Sequence, residues 1–283
     1  QVSNIVVLEP ADRDSEIAGL KQLAEIHNMT PPDDGVSCYY QSSEDFDLRW
    51  ERHNEFSTYT LICNKKLSGT AFESGFSHIS GDWLSALSGQ VISANHIDLR
   101  SAGEAPDSPE ELEKYFDGRK LSGSKIYDGN AKLWTSMRSH SDGFSRTLLV
   151  DQGVDPSQAG RAVRNLLEIS TYRSMTLLAL PTARELLPEI STLEQSLSAT
   201  SEKLKLIETM EDEQNLMTEL IAEATQVERL IADNSFRFSA TEAYFNLTET
   251  RLNMLREEKI PTIRTLKQFH VRRFIPAYNT CMS

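Results

Sequence analysis

The distribution of glycine constrains this 283-residue chain more than any other feature of its sequence. All 13 glycines lie at or before position 160, so the last 123 residues contain none. Glycine-free sequence with apolar residues three and four positions apart is typical of long helices. The change in composition predicts an α+β fold with two parts: an α+β domain over residues 1–150 and a helical hairpin or coiled-coil domain over residues 151–283.

Short strand-like and helix-like runs alternate in the first part. Apolar spacing predicts a helix over Ile17–Ile26, and β-branched or aromatic runs predict strands over 55–63, 90–99, 124–127, 131–137 and 144–150. Two helix starts are expected at Ser108 and Asp155, each of which precedes a proline. Such a side chain can accept hydrogen bonds from backbone N–H groups, and proline has no such donor to lose in the first turn.

The glycine-free region contains a long apolar stripe. It runs from Leu193 to Ile207 and, in a shifted phase, from Met217 to Ile231, which predicts a coiled-coil seam with a register slip near Met210. Prolines 181 and 188 predict a break near Leu180. A capping pattern at Ser239 predicts a hairpin or hinge over residues 234–239, followed by another helix. Because isolated helices are marginal in water, we expect the stripe to be buried and predict a homo-oligomer through these helices.

Charge and cysteine content narrow the possible partners. The 42 acidic and 29 basic side chains give a net charge of -13, which repels a phosphate backbone and argues against nucleic-acid binding. Residues 259–283 contain five basic and no acidic side chains, so this end is expected to contact either an acidic helix or an anionic membrane. The three cysteines have neither metal-binding nor disulfide-framework spacing, which fits a reducing compartment.

Two polar segments in the first part are candidates for chemistry. The first extends from the end of a polar run into a predicted strand and contains Arg49, Glu51, Arg52, His53, Glu55 and Tyr59. His53 could act as a general base beside carboxylates and arginines, but an ion-pair network that joins two layers is the preferred interpretation. The second contains His140, Asp142 and Arg146 around Ser141. Since a nucleophilic triad assembles from residues distant in sequence, we interpret it as a turn.

A third polar group lies on the helix that follows Asp155, and a fourth lies at the register slip. Arg161, Arg164 and Glu168 share one helical face, with Tyr172 and Arg173 nearby, which indicates either a salt-bridge ladder or an anion site. The fourth group could collect Mg²⁺ or Ca²⁺ from several chains, although solvated charge is preferred; its members are Glu208, Glu211, Asp212 and Glu213. No P-loop, GxGxxG, HExxH or EF-hand pattern occurs, so no cofactor, metal or catalytic residue is assigned.

Several of these segments resemble a bacterial family of uncharacterised, membrane-anchored proteins that is known only as a domain of unknown function. The resemblance covers nearly the whole chain. It implies a cytoplasmic part at the inner membrane, attached through a C-terminal segment that this sequence does not contain. The segments are 49–60, 142–146, 159–161, 166–169, 171–173, 179–185 and 272–281.

The resemblance, the seam and the lack of catalytic motifs together predict a non-enzymatic scaffold or sensor domain of a membrane-anchored assembly. Two alternatives stay open. An α+β domain followed by long acidic helices is also the layout of CorA-type magnesium channels, which suggests the cytosolic domain of a divalent-cation transporter or sensor. The other alternative is a hydrolase or transferase that depends on His53.

Overall fold

The structure is a computed structural model that describes residues 1–63, 72–106 and 108–283. Its nine described strands are β1 (Val2–Leu8), β2 (Cys38–Ser42), β3 (Asp47–Arg52), β4 (Phe56–Ile62), β5 (Gln90–Ser101), β6 (Ser122–Ile126), β7 (Ala131–Ser139), β8 (Ser145–Asp151) and β9 (Glu258–Lys259). Its eight described helices are α1 (Arg13–Ile26), α2 (Gly81–Ser85), α3 (Pro109–Tyr115), α4 (Pro156–Leu177), α5 (Ala179–Leu204), α6 (Met210–Met254), α7 (Leu266–Arg273) and α8 (Ile275–Met282). The predicted α+β class is confirmed.

All nine described strands belong to one mixed sheet, in the order β2-β3-β4-β1-β5-β8-β7-β6-β9. β5 and β8 are parallel, and every other pair of neighbours in the sheet is antiparallel. β1 is paired on both sides and its first six residues are buried. A strand inside a sheet that is covered on both faces has no exposed edge, so β1 is a rigid centre for its neighbours.

The two faces of the sheet bury different helices, because successive strand residues point to opposite sides. On one face, Val7, Trp50 and Leu61 pack against the apolar side of α1, and Leu148 and Val150 pack near α3. The other face packs against α4; its core contains Val2, Ile97, Leu133, Leu149, Ala162, Leu166 and Ile169. The arrangement is a three-layer α/β/α sandwich.

The chain divides into two compact units, neither of which is continuous in sequence. We name Gln1–Ser174 with Thr248–His270 the sheet unit, and Met175–Leu247 with Val271–Ser283 the helical unit. The helices α4 and α6 contribute residues to both. The domain boundary predicted after residue 150 falls within the sheet unit, because the first part of α4 is needed to cover the sheet.

The strongest local signals predicted the elements well. The five strands, the helix α1 and the helical character of residues 190–231 are confirmed. Ser108 and Asp155 accept hydrogen bonds from the backbone N–H groups of Glu111 and Gln158, as their capping patterns predicted. The break near Leu180 is also confirmed, since α4 ends at Leu177 and α5 begins two residues later.

Two expectations for the long helices were wrong. The register slip near Met210 is a turn between two helices, because α5 ends at Leu204 and α6 begins at Met210. The hinge at residues 234–239 does not exist, because α6 continues through it to Met254. The side chain of Asn234 donates to the Leu230 carbonyl at 2.9 Å, one turn back, and no glycine or proline interrupts the helix there. Within the described residues, no helix is both long and apolar enough to span a membrane.

The close pairing of β6 and β7 depends on Gly123, and this generates a prediction. A Cβ atom added there would lie 2.4 Å from the Trp134 ring and 2.8 Å from the Leu133 carbonyl. We expect Gly123→Ala to lower the free energy of unfolding by about 2 kcal/mol, because either the ring or the strand must move. Urea unfolding would measure the change. Gly103→Ala is the control, since a Cβ atom at that position meets nothing within 4 Å; equal stability of the two variants would contradict the packing argument.

Candidate functional site

Four donors converge on the carboxylate of Glu16, a buried residue of α1. The indole of Trp50 and the phenol of Tyr59 donate to its Oε1 at 3.3 and 2.7 Å, and the Ser57 hydroxyl donates to its Oε2 at 3.1 Å. Arg52 forms an ion pair with the same carboxylate. Every donor lies on β3 or β4 and the acceptor lies on α1. Arg52 and Tyr59 therefore belong to an ion-pair network that joins two layers, the preferred interpretation of this segment.

The side chain of His53 lies apart from that network. Its ring stacks on Phe56 with ring centroids 4.4 Å apart. Burial lowers the pKa of His53, and the carboxylates of Glu51 and Glu168 act in the opposite direction. Arg49 pairs with Glu51 at 2.7 Å. Within the described part of the chain, no hydroxyl or thiol hydrogen-bonds to the His53 ring, so the geometry expected of a base that activates a nucleophile is not found there.

The polar face of α4 forms a ladder with α6 inside the sheet unit. Glu168 pairs with Arg251 and lies 3.9 Å from Arg164. Tyr172 hydrogen-bonds to the same Arg251, and burial is the main cause that raises its pKa. The pairing neutralises the partly buried carboxylate and ties the two helices together. Three of the residues predicted on this helix thus meet, together with Arg251, which the sequence analysis did not select.

A second histidine, His140, sits in a chain of hydrogen bonds. Its Nδ1 lies 2.7 Å from Asp117 Oδ2, and its Nε2 lies 3.0 Å from the Ser136 hydroxyl. The partners are therefore not the adjacent Ser141 and Asp142 of the predicted turn. Arg146 bridges Asp117 and Asp142, with a distance of 3.1 Å to each. The order hydroxyl, imidazole and carboxylate matches that of a nucleophile, its base and an orienting acid.

Burial within this chain of hydrogen bonds runs opposite to that of a nucleophilic triad. The His140 side chain is 0% exposed and Ser136 is 5% exposed, whereas the Asp117 side chain is 54% exposed. In a serine protease the aspartate is buried and the hydroxyl faces the substrate. The arrangement instead closes a bulge in β7, where Met137 has a φ of 53° and the pairing with β8 shifts register.

A third histidine, His96, is buried close to Asp142. Its Nδ1 lies 2.9 Å from the Ser3 hydroxyl, which also accepts the backbone N–H of Gly75 at 2.8 Å. The ring stacks on Phe144 with centroids 3.9 Å apart. Burial lowers the pKa of His96 to about 4, although Asp142 acts against this shift.

The other predicted polar residues lie outside these groups. Glu55 is at the β3–β4 turn, where its carbonyl accepts the backbone N–H of Glu9 at 3.0 Å. Arg161 is exposed on α4 and interacts with Asp155. The guanidinium of Arg173 lies 5.7 Å from the centre of the Phe269 ring, and burial lowers its pKa to about 10. These residues support separate local contacts.

The four carboxylates predicted as a weak metal site do not converge. Glu208, Glu211, Asp212 and Glu213 surround the start of α6, and no group of three or more potential metal ligands is found among the described residues. Asp212 instead accepts the backbone N–H and the hydroxyl of Thr209 at 3.0 and 2.7 Å, and Thr209 accepts the Asp212 backbone N–H. This reciprocal pair caps the helix.

The helical unit contains a large apolar groove between α5 and α6, with a volume of about 780 Å³. Many of its side chains remain open to solvent; Ile190 is 44% exposed, Leu197 is 52% exposed and Ile231 is 61% exposed. Contiguous exposed apolar surface of this kind marks an interaction site or a ligand groove. The apolar residues that line it are Leu186, Ile190, Leu193, Leu197, Leu220, Ala224, Val227, Leu230, Ile231 and Phe238.

Polar contacts hold the two walls of the groove together. Gln226 donates to Glu189 at 3.0 Å, and Lys203 pairs with Glu219 at 2.6 Å. Between them, Glu223 of α6 accepts the Ser196 hydroxyl of α5 at 2.5 Å. These contacts position the helices side by side and leave the apolar stripe uncovered. We regard this groove as the candidate functional site.

The sequence analysis did not select Glu16, Ser136, Asp117, Arg251 or Glu223. Two of these could have been found, because a carboxylate interrupts an apolar stripe: Glu16 is one turn before Leu20, and Glu223 follows Leu220 by three positions. The link from Ser136 through His140 to Asp117 depends on a bulge in β7, for which the sequence has no simple signal.

The buried neutral ring of His96 predicts a loss of stability in acid. The unfolded chain protonates this group near pH 6.5, but the folded chain does so only near pH 4. The contribution of neutral His96 to the free energy of unfolding is therefore fully present above pH 6.5 and decreases as the pH falls toward 4. We expect His96→Asn to have a shallower loss of unfolding free energy over this range, by up to about 1.4 kcal/mol per pH unit. Urea unfolding at a series of pH values measures it; identical slopes would contradict the assignment.

Comparison with known protein families gives a match over the whole chain. The family model described as "Protein of unknown function (DUF3422)" matches residues 1–283. Neither the curated proteins nor the solved structures contain a significant match. The match extends over the sheet unit and the helical unit, so both are parts of what the family model describes. The chain belongs to the DUF3422 family of proteins of unknown function.

Proposed function

We propose that this chain is a non-enzymatic scaffold or sensor domain of a membrane-anchored assembly at the cytoplasmic face of the bacterial inner membrane. In this role the sheet unit is a stable folded body, and the helical unit binds other proteins through the groove between α5 and α6. The observation that carries the proposal is the groove itself. It has a volume of about 780 Å³ and is lined by large apolar side chains of two helices, many of them exposed.

Physical chemistry supports an association role for such a surface. Two helices that expose their apolar stripes gain stability when a third helix covers the stripes, because burial removes apolar area from water. Part of the apolar stripe predicted from the sequence lines this groove, and self-association is one way to cover the stripe. The shared residues are Leu193, Leu197, Leu220, Ala224, Val227 and Ile231. The predicted homo-oligomer stays a prediction, which light scattering at high protein concentration would test.

The proposal predicts that the groove is open to an apolar probe. Nile Red is neutral, and its fluorescence rises when it enters an apolar environment. We expect the wild-type protein to bind this dye and Ala224→Arg to bind it severalfold more weakly, because Ala224 lines the groove and a charged side chain there disfavours an apolar ligand. A fluorescence titration measures both affinities.

Ala222→Arg is the matched control for that titration. Ala222 is exposed on the same helix, two residues away, and does not line the groove. Circular dichroism would verify that both variants fold. Equal dye binding by the two variants, or an absence of binding to wild type, would contradict an apolar groove that is open at Ala224.

A hydrolase is the second candidate function, favoured by the hydrogen bonds from Ser136 to His140 and from His140 to Asp117. The reversed burial of these residues places it second. We expect a fluorophosphonate probe, which labels activated serines, to leave the native protein unlabelled. Mass spectrometry of the treated protein measures this outcome. Labelling that is lost in Ser136→Ala and kept in Ser141→Ala would establish a reactive serine and overturn the non-enzymatic proposal.

A further inference from the structure

We infer that the groove between α5 and α6 binds a cationic amphipathic α-helix, and that a Lys or Arg side chain of this helix pairs with Glu223. The inference rests on the proposed function and names the chemistry of the partner. Three features of the groove carry it: its dimensions, its charge, and the position of one carboxylate oxygen.

The dimensions of the groove match a helix of about three turns. On α5 the apolar lining runs from Leu186 to Leu197, which corresponds to roughly 17 Å at 1.5 Å per residue. The opposite wall, on α6, runs antiparallel to it from Leu220 to Phe238, roughly 27 Å at the same rise. Two helical ridges side by side with a trough between them are the surface onto which a third helix packs. Such a helix would contribute apolar side chains at positions i, i+3, i+4 and i+7.

The charge of the groove selects a cationic partner. Residues 184–233 contain 12 acidic and 4 basic side chains, a net charge of -8. Three carboxylates, from Glu194, Glu223 and Glu228, line the groove, and none of the described residues that line it is Lys or Arg. A second copy of the same surface would bring carboxylates against carboxylates. A helix with basic side chains on both sides of its apolar stripe has the complementary charge.

Glu223 provides a specific position for one of those basic side chains. Its Oε1 accepts the hydroxyls of Ser196 and Thr200, at 2.5 and 3.2 Å. Its Oε2 is buried and has no hydrogen-bond partner among the described residues. A buried carboxylate oxygen without a donor is costly. When the Glu223 side chain turns so that Oε2 faces the groove, an ammonium or guanidinium group of the bound helix supplies that donor. Lys203 lies on the same hairpin, but its amine pairs with Glu219 and does not supply the donor for Glu223.

Synthetic peptides can test this inference with the complete chain. The probe is a fluorescent peptide of about 14 residues with Leu at positions i, i+3, i+4 and i+7 and Lys beside them. One control peptide has the same composition in an order that destroys the apolar stripe, and another replaces every Lys with Glu. Fluorescence anisotropy at an ionic strength of about 0.15 M measures binding, because surface attraction is largely screened there.

We expect the cationic amphipathic peptide to bind wild type and both control peptides to bind at least tenfold more weakly. Glu223→Gln should weaken binding of the first peptide by roughly 10-fold or more, since the pair with a charged group is lost. Glu185→Gln, an equal charge change at an exposed position of α5 outside the groove, should change it by less than about twofold. Ala224→Arg should abolish binding and Ala222→Arg should preserve it.

The dye titration separates the failure of this inference from failure of the proposed function. Suppose that Nile Red binding depends on Ala224, but the three peptides bind equally or Glu223→Gln leaves peptide binding unchanged. The groove is then an association surface, and the inference that its partner is cationic is wrong. If added salt drives a self-association that Ala224→Arg abolishes, a second copy is the occupant and the inference is also overturned, because salt screens the repulsion between the carboxylates of the two copies. If neither the dye nor the peptide responds to Ala224→Arg, both proposals fail.

Discussion

The first half of the sheet unit depends on the contacts that the buried carboxylate of Glu16 makes with β3 and β4. A charged group under a helix is stable only when it is paired and hydrogen-bonded, and here four side chains of the β3–β4 hairpin provide those partners. The hairpin and α1 therefore hold each other in position. Removing one partner leaves the buried carboxylate of Glu16 with a hydrogen bond unmade in an apolar core. The five side chains therefore act as a unit.

The same polar segment explains why a chemical interpretation of the sequence was attractive and why a structural one fits better. Along β3, Trp50 and Arg52 face Glu16, whereas Arg49 and Glu51 alternate to the other side of the sheet. A dense run of polar residues is thus divided between two faces. What resembles one constellation in sequence becomes two sets of contacts: one joins β3 and β4 to α1, and the other pairs Arg49 with Glu51 along β3.

The sequence predicted the elements better than their connections. Strands with β-branched and aromatic residues, and helices with capping side chains, carry local signals, and the structure contains them. Four of the nine described strands, β1, β2, β3 and β9, were not predicted. Charged residues interrupt the apolar pattern of β3, and β9 has only two residues. The hinge wrongly predicted at Ser239 shows the limit of a capping pattern. The four residues 239–242 suit a helix start, but the residues on both sides favour helix, and α6 continues through them. Contacts such as Ser136 to His140 depend on backbone pairing across the sheet, which a single sequence does not specify.

The two units also differ in how they satisfy their apolar residues. The sheet unit buries its strands between helices on both faces, whereas the hairpin of α5 and α6 leaves a stripe of Leu, Ile and Val side chains in water. In a cell, exposed surface of this kind is recognised by chaperones and proteases until a partner covers it. If a partner covers the groove as proposed, synthesis of this chain in excess of that partner would leave the surplus open to degradation, so the amount of one protein would set the steady-state amount of the other.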